Sequence, residues 1–133
     1  MNSVAVGLGG LFGAIFRYQI GKWAPIPMGI PLGTLFINLL GCFFLAWFFT
    51  ITTNRWSINP NLRLGIGTGF TGAFTTFSTF SVETLNLINN NQFLIAFLYV
   101  VLSVVGGIGF AIIGAKLASI HFPPIRQPEG ESK

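Results

Sequence analysis

Long apolar stretches alternate with short polar punctuation along this chain. Between its charged positions lie uncharged runs from Asn2 to Phe16, Trp23 to Asn54, Leu64 to Val82 and Thr84 to Ala115. A hydrocarbon core about 30 Å thick needs roughly 20 apolar residues per helical crossing, so four runs predict four spans. We place them at Ser3–Ile20, Pro31–Thr53, Leu62–Ile88 and Gln92–Ser119. The punctuation agrees with this division. Trp23-Ala24-Pro25-Ile26-Pro27 and Pro31 separate the first two spans, Asn54 to Pro60 the second pair, and Asn89-Asn90-Asn91 the last. Residues 1–121 read as a single transmembrane domain, and residues 122–133, with Pro123, Pro124, Pro128, Glu129, Glu131 and Lys133, as a flexible polar tail. The first span has no Lys/Arg n-region and three further hydrophobic segments follow it, so it reads as a true helix rather than a signal peptide.

Composition strengthens the membrane reading. Charged residues are 8% of the 133-residue chain, against roughly 25% in soluble domains. Chain orientation is less decided. Four spans put both termini and the loop between the second and third helices on one side. That side carries Arg55, Arg63, Lys116, Arg126 and Lys133, the other Arg17 and Lys22. Without the tail, where Glu129 and Glu131 balance two of these cations, the imbalance is small and offers the insertion machinery little to read. An ordinary protein with its termini inside fits, and so does dual topology, in which copies insert both ways and pair antiparallel about a twofold axis in the membrane plane. The net charge of +4 calls for no nucleic-acid partner, because lysine and arginine at helix ends are normal in membrane proteins.

Glycine supplies 17 residues, most of them within the spans. Gly9 and Gly13, Gly10 and Ala14, and Gly65 and Gly69 are four apart, while Ser103, Gly107, Ala111 and Ala115 form a small-residue ladder. Such residues let helix backbones approach where lipid supplies no hydrophobic drive. A tight bundle of this kind has no room for a wide lumen, which disfavours large solutes. No metal cluster, P-loop or Ser/His/Asp set is present and the chain has no aspartate, so an enzyme is not expected. Cys42 stands alone, and His121 sits at the end of the last helix.

The polar residues inside the spans carry the chemistry. The third span has five hydroxyls in the seven residues from Thr75 to Ser81, beginning at its midpoint. Glycines and β-branched threonines are weak helix formers, so the helix is expected to break here at mid-membrane. Backbone carbonyls stranded near Gly72 and Thr75 would suit a hard cation such as Na⁺. The alternative is that the hydroxyls bond back to their own helix. Phe77 and Phe80 share a helix face, and an aromatic ring has a positive edge that an anion can approach; a plain core pair is the other reading. Asn38 is the amide deep in the second span, with Thr34 one turn before it, and Ser103 lies one turn beyond Tyr99. With Ser78 and Thr79 these make a set rich in donors and free of acids, suited to a small anion that must shed water without being trapped. Arg17 either draws anions to a vestibule or snorkels to the interface.

Three strings now bear on identity: Gly9-Gly10-Leu11-Phe12-Gly13-Ala14-Ile15-Phe16-Arg17-Tyr18, Gly33-Thr34-Leu35-Phe36-Ile37-Asn38-Leu39-Leu40-Gly41, and above all Gly72-Ala73-Phe74-Thr75-Thr76-Phe77-Ser78-Thr79-Phe80-Ser81-Val82-Glu83. Over nearly its whole length the chain resembles the Fluc/CrcB family of fluoride channels. The resemblance implies an all-α plasma-membrane protein forming an antiparallel, dual-topology homodimer with two fluoride pores, and a central Na⁺ on the backbone carbonyls of Gly72 and Thr75. It implies Phe77 and Phe80 as ring-edge fluoride contacts, Asn38 as the amide donor, Thr34, Ser78, Thr79 and Ser103 as a polar track, and Arg17 in the vestibule, with Tyr99 and Glu83 nearby. Here Ala73 stands for the family's usual second glycine and Phe74 for the aliphatic that follows. Passive fluoride export fits the chemistry, since hydrogen fluoride enters cells neutral and ionises inside. The rival is a proton-coupled four-helix exporter of small molecules, which needs a carboxylate near mid-membrane; Glu83 lies about 12 Å along the helix from the span centre by the 1.5 Å rise.

Overall fold

The apolar runs fold as helices because a lipid-facing backbone must satisfy its own hydrogen bonds. The computed structural model describes residues 2–23, 30–54 and 58–121. The Pro25–Pro27 linker, Arg55 and the 122–133 tail lie outside the described residues. Six α-helices follow in order: α1 (Asn2–Trp23), α2 (Leu32–Asn54), α3 (Pro60–Leu64), α4 (Thr71–Phe74), α5 (Phe77–Asn89) and α6 (Phe93–His121). Three of them, over Ser3–Lys22, Leu32–Thr53 and Phe93–Ile120, are long and apolar enough to cross a membrane. Together with the third run they make an all-helical, multi-pass membrane protein.

The third run is assembled from pieces. α3 opens on Pro60, with the Asn59 side chain accepting the Asn61 N–H at 2.9 Å. It leads into a π-helical stretch, Gly65–Phe70, in which Gly65, Gly67 and Gly69 are all buried. Thr71 Oγ1 reaches five residues back to the Ile66 carbonyl at 3.1 Å, supplying a donor inside the widened turn. After the single turn of α4, Thr75 and Thr76 are extended, with ψ of 157° and 122°. β-branched residues adopt that conformation readily. α5 starts at once, because the Thr76 side chain accepts the Thr79 N–H as its N-cap.

Small residues set which helices touch. Positions 9 and 13 of α1 lie so close to the carbonyls of Gly65 and Phe70 that a methyl group on either would strike the backbone. On α6, Gly106 meets Leu39, Gly107 meets Cys42 and Gly114 meets the Phe43 carbonyl. Contact positions advance together in both pairs, so α1 runs parallel to the third run and α2 parallel to α6. α5 returns antiparallel on α6 after a tight turn. There Asn91 takes φ of 57°, and the N–H groups of Asn91 and Gln92 close back on the Ile88 and Leu87 carbonyls at 3.0 and 2.9 Å. Asparagine tolerates this left-handed position, so the three-asparagine run ends the helix cleanly.

Leu87, Ala96 and Tyr99 form a buried cluster between α5 and α6, with Leu35, Phe80 and Ile95 packed on it. A second apolar body is aromatic. Phe70 stacks on Phe74 at 5.8 Å and meets Phe16 and Phe44 edge-on at 5.9 and 5.8 Å. At its far end the Arg63 guanidinium lies 5.1 Å from the Phe49 ring centroid and donates to Thr53 Oγ1 at 2.6 Å. The cation thus ties the start of the third run to the end of α2.

Candidate functional site

Two extended residues in an apolar setting need partners for their backbone: the Thr75 N–H keeps the Thr71 carbonyl at 3.0 Å, and α2 supplies those of Thr76. The Asn38 side-chain amide donates to the Thr76 carbonyl at 3.1 Å, and the Thr76 N–H donates to Asn38 Oδ1 at 2.9 Å. A continuous helix would give that N–H to the Gly72 carbonyl. Its diversion to Asn38 releases Gly72 from the usual pairing. Gly72 is exposed, with open space where a side chain would stand. Released carbonyls are hard oxygen donors, so Gly72 and Thr75 fit a hard cation such as Na⁺. Among the described residues no cluster of His, Cys, Asp or Glu offers a side-chain alternative.

Thr76 is the centre of the local polar network. Its Oγ1 accepts from the Thr79 N–H at 3.2 Å, donates to Thr79 Oγ1 at 3.0 Å and lies 3.2 Å from Ser78 Oγ. The first turn of α5 is therefore wrapped in hydroxyls. Its N-terminal amides carry the positive end of the helix dipole, which favours negative charge.

Two cavities meet at Thr76. The larger, about 580 Å³, is an open groove whose walls include Gly72, Thr75, Asn38, Phe77, Phe80 and Ser103. Phe77 and Phe80 have ring centroids 5.9 Å apart. Phe80 leans on Tyr99 at 5.1 Å, whereas Phe77 is 80% exposed. Apart from its contact with Phe80, the Phe77 ring thus stands open in the groove. Ser103 Oγ donates to the Tyr99 carbonyl at 2.7 Å, so its proton serves its own helix and its lone pairs remain.

The smaller cavity, about 330 Å³, is lined by Arg17, Thr34, Thr76, Thr79 and Glu83, among others. Glu83 is its centre. Thr34 Oγ1 donates to one carboxylate oxygen and the Tyr99 hydroxyl to the other, both at 2.8 Å. Tyr99 is buried and lines neither cavity, and Ser78 lines neither. The structure thus divides the sequence candidates: Asn38, Phe77, Phe80, Ser103, Gly72 and Thr75 share the groove, and Arg17, Thr34 and Thr79 share the smaller cavity with Glu83. Thr76 and the hub role of Glu83 escaped sequence reasoning. A threonine opening a helical run is a capping signal that pointed to Thr76. Nothing in spacing pointed to Glu83, because its two donors come from α2 and α6.

A multi-pass helical membrane protein with an open groove and a smaller polar cavity between its helices has the architecture of a small-solute channel or carrier. Comparison with known proteins is more specific. The family model described as "CrcB-like protein, Camphor Resistance (CrcB)" matches residues 4–115. The chain is 47% identical over 117 residues to a protein of Oceanobacillus iheyensis named fluoride-specific ion channel FluC, covering 88% of this chain and 91% of that one. It is 47% identical over 119 residues to fluoride-specific ion channel FluC 1 of Bacillus cereus, covering 86% and 85%. With FluC of Methanococcus maripaludis the identity is 44%, covering 88% and 94%. This chain belongs to the CrcB family, whose relatives named here are ion channels and not enzymes.

Proposed function

We propose that this protein is a fluoride-selective channel that lets fluoride leave the cytoplasm passively and so relieves fluoride toxicity. The observation that carries the reading is 47% identity, over 88% of the chain, to a protein named as a fluoride-specific channel. The chemistry of the site agrees with it. Fluoride is small and strongly hydrated, so a path must replace its water with donors yet hold it weakly enough to let go. Asn38 keeps one amide hydrogen beyond the bond to Thr76. Ring edges of Phe77 and Phe80 supply positive surface without a fixed charge, and the positive end of the α5 dipole adds to it. Thr34 and Thr79 in the smaller cavity and Ser103 in the groove continue the polar track, Ser78 and Tyr99 back it through their contacts with Thr76 and Glu83, and Arg17 draws anions to the vestibule.

The working unit in this reading is an antiparallel, dual-topology homodimer in the plasma membrane. Two things support it: the small lysine and arginine imbalance, and an open groove holding an unpacked Phe77 that a second copy would cover. The Gly72 and Thr75 carbonyls would hold a structural Na⁺, whose positive charge would complement the negative C-terminal end of α4. The chain's own residues set the geometry around it: Asn38 holds Thr76 extended, and that keeps both carbonyls off their own helix.

The test is flux from liposomes containing the purified protein, read with ion-selective electrodes. Fluoride should pass and chloride should not. Equal chloride flux would sink the fluoride reading, and flux that requires a proton gradient would favour the exporter with Glu83 as its titrating carboxylate. Replacing Phe80 by Ile should cut fluoride flux while the assembled protein stays intact; unchanged flux would remove the ring-edge role.

A further inference from the structure

Gly41 lies on α2 one turn beyond Asn38, buried, and the Thr75 side chain fills the space that its missing side chain leaves. A Cβ at position 41 would overlap Thr75 Cγ2, with Thr75 Cβ at 3.6 Å and Phe74 Cδ1 at 3.7 Å. Thr75 cannot yield by turning its side chain alone. Its Oγ1 donates to the Thr71 carbonyl at 2.9 Å, so rotating the methyl away breaks that bond. On the preceding residue, Phe74 is buried and stacked on Phe70. On the following one, Thr76 is held at both backbone groups by Asn38. A single turn of α2 therefore holds both extended residues, Thr76 through the Asn38 amide and Thr75 through the bare backbone at Gly41.

We propose that Gly41 is a positioning residue for the Na⁺ site: by seating the Thr75 side chain it fixes where the Thr75 carbonyl stands relative to that of Gly72. This rests on the Na⁺ reading above. A larger residue at position 41 pushes Thr75 toward the groove and alters the spacing of the two carbonyls without removing either. The consequence is a weaker cation site rather than a lost one.

The experiment titrates Na⁺, against N-methylglucamine as the inert cation, into purified protein, reading the thermal midpoint in detergent and fluoride flux in liposomes. Gly41→Ala is expected to raise the Na⁺ concentration for half-maximal effect by about tenfold in both readouts, which corresponds to about 1.4 kcal/mol. Combining it with Thr75→Ser removes Cγ2 and keeps Oγ, so the pair is expected to return to within about threefold of wild type, the signature of two coupled neighbours. A wild-type protein indifferent to Na⁺ in both readouts overturns the Na⁺ reading itself. A Na⁺-dependent wild type with an unshifted Gly41→Ala overturns the positioning role alone, as does a shift that Thr75→Ser fails to reverse. Should Gly41→Ala not fold, the double variant decides: a folded protein with near wild-type titration supports the seat, and an unfolded or shifted one refutes it.

Discussion

Four glycines of α1 provide a controlled test of the packing, because one substitution, glycine to alanine, meets different surroundings at each. Gly7 has open space where a Cβ would stand, and Gly10 has only ordinary contacts, the Gly69 carbonyl at 3.7 Å and Ala73 Cβ at 3.8 Å. At these two positions alanine should be neutral or gain up to about 1 kcal/mol from helix propensity. Gly9 and Gly13 face the Gly65 and Phe70 carbonyls, with the Phe70 and Phe74 backbone nitrogens each 3.0 Å from the added carbon. Backbone cannot swing aside as a side chain can, so the helices must separate. Overpacking costs about 1–3 kcal/mol, and a rigid obstacle belongs at the upper end. After the propensity gain, Gly9→Ala and Gly13→Ala should each lose about 2 kcal/mol. Reversible unfolding in detergent by denaturant titration, followed by tryptophan fluorescence, measures each variant. Gly7→Ala and Gly9→Ala should differ by about 3 kcal/mol, the midpoint moving in opposite directions. Equal shifts for all four would refute the close approach of α1 to the third run.

Two further substitutions probe the extended residues. Thr76→Val keeps the β-branched shape and removes the oxygen that caps α5; it should cost about 1 kcal/mol and reduce fluoride flux, whereas Thr76→Ser should restore both, and a Val variant as stable as wild type would deny the cap. Asn38→Leu leaves the Thr76 N–H and C=O without partners. Such groups cost about 1–3 kcal/mol each when buried, but polar contacts within membranes average nearer 0.6 kcal/mol, so a total of about 1–2 kcal/mol is expected in the unfolding midpoint, together with loss of flux. Wild-type flux in Asn38→Leu would remove the amide from the path.

The long helices were legible because charges and prolines interrupt the apolar runs. Expected spans at Ser3–Ile20, Pro31–Thr53 and Gln92–Ser119 compare with α1, α2 and α6 at Asn2–Trp23, Leu32–Asn54 and Phe93–His121. Spacing also marked Gly9 and Gly13, and Gly65 and Gly69, as packing positions, but which of them meet comes from the fold. On α6 the ladder residues Ser103, Gly107, Ala111 and Ala115 are buried or half-buried, with Gly107 against Cys42, while spacing did not single out Gly114, which meets the Phe43 backbone. The π-helical turn at Gly65–Phe70 left no mark in the periodicity at all, because glycines carry no side chain whose pattern could report it.

Glu83 shows most directly where one-dimensional reasoning loses a site. Along the sequence it stands near the end of the third run, where a carboxylate is ordinarily a solvated terminus. In the fold its two oxygens take hydroxyl donors from Thr34 of α2 and Tyr99 of α6, a set drawn from three elements that no spacing rule can assemble. The arrangement has a physical consequence for a path that favours anions. An isolated carboxylate in a low-dielectric cavity would repel an approaching anion strongly. Two hydroxyl donors on it, with Arg17 lining the same cavity, soften that repulsion. Both hydroxyl protons are committed to Glu83, so each oxygen keeps only its acceptor lone pairs. The scarcity of charge in the chain is thus matched by a local rule: the one acidic side chain among the described residues is accompanied by as many hydroxyl donors as it has oxygens.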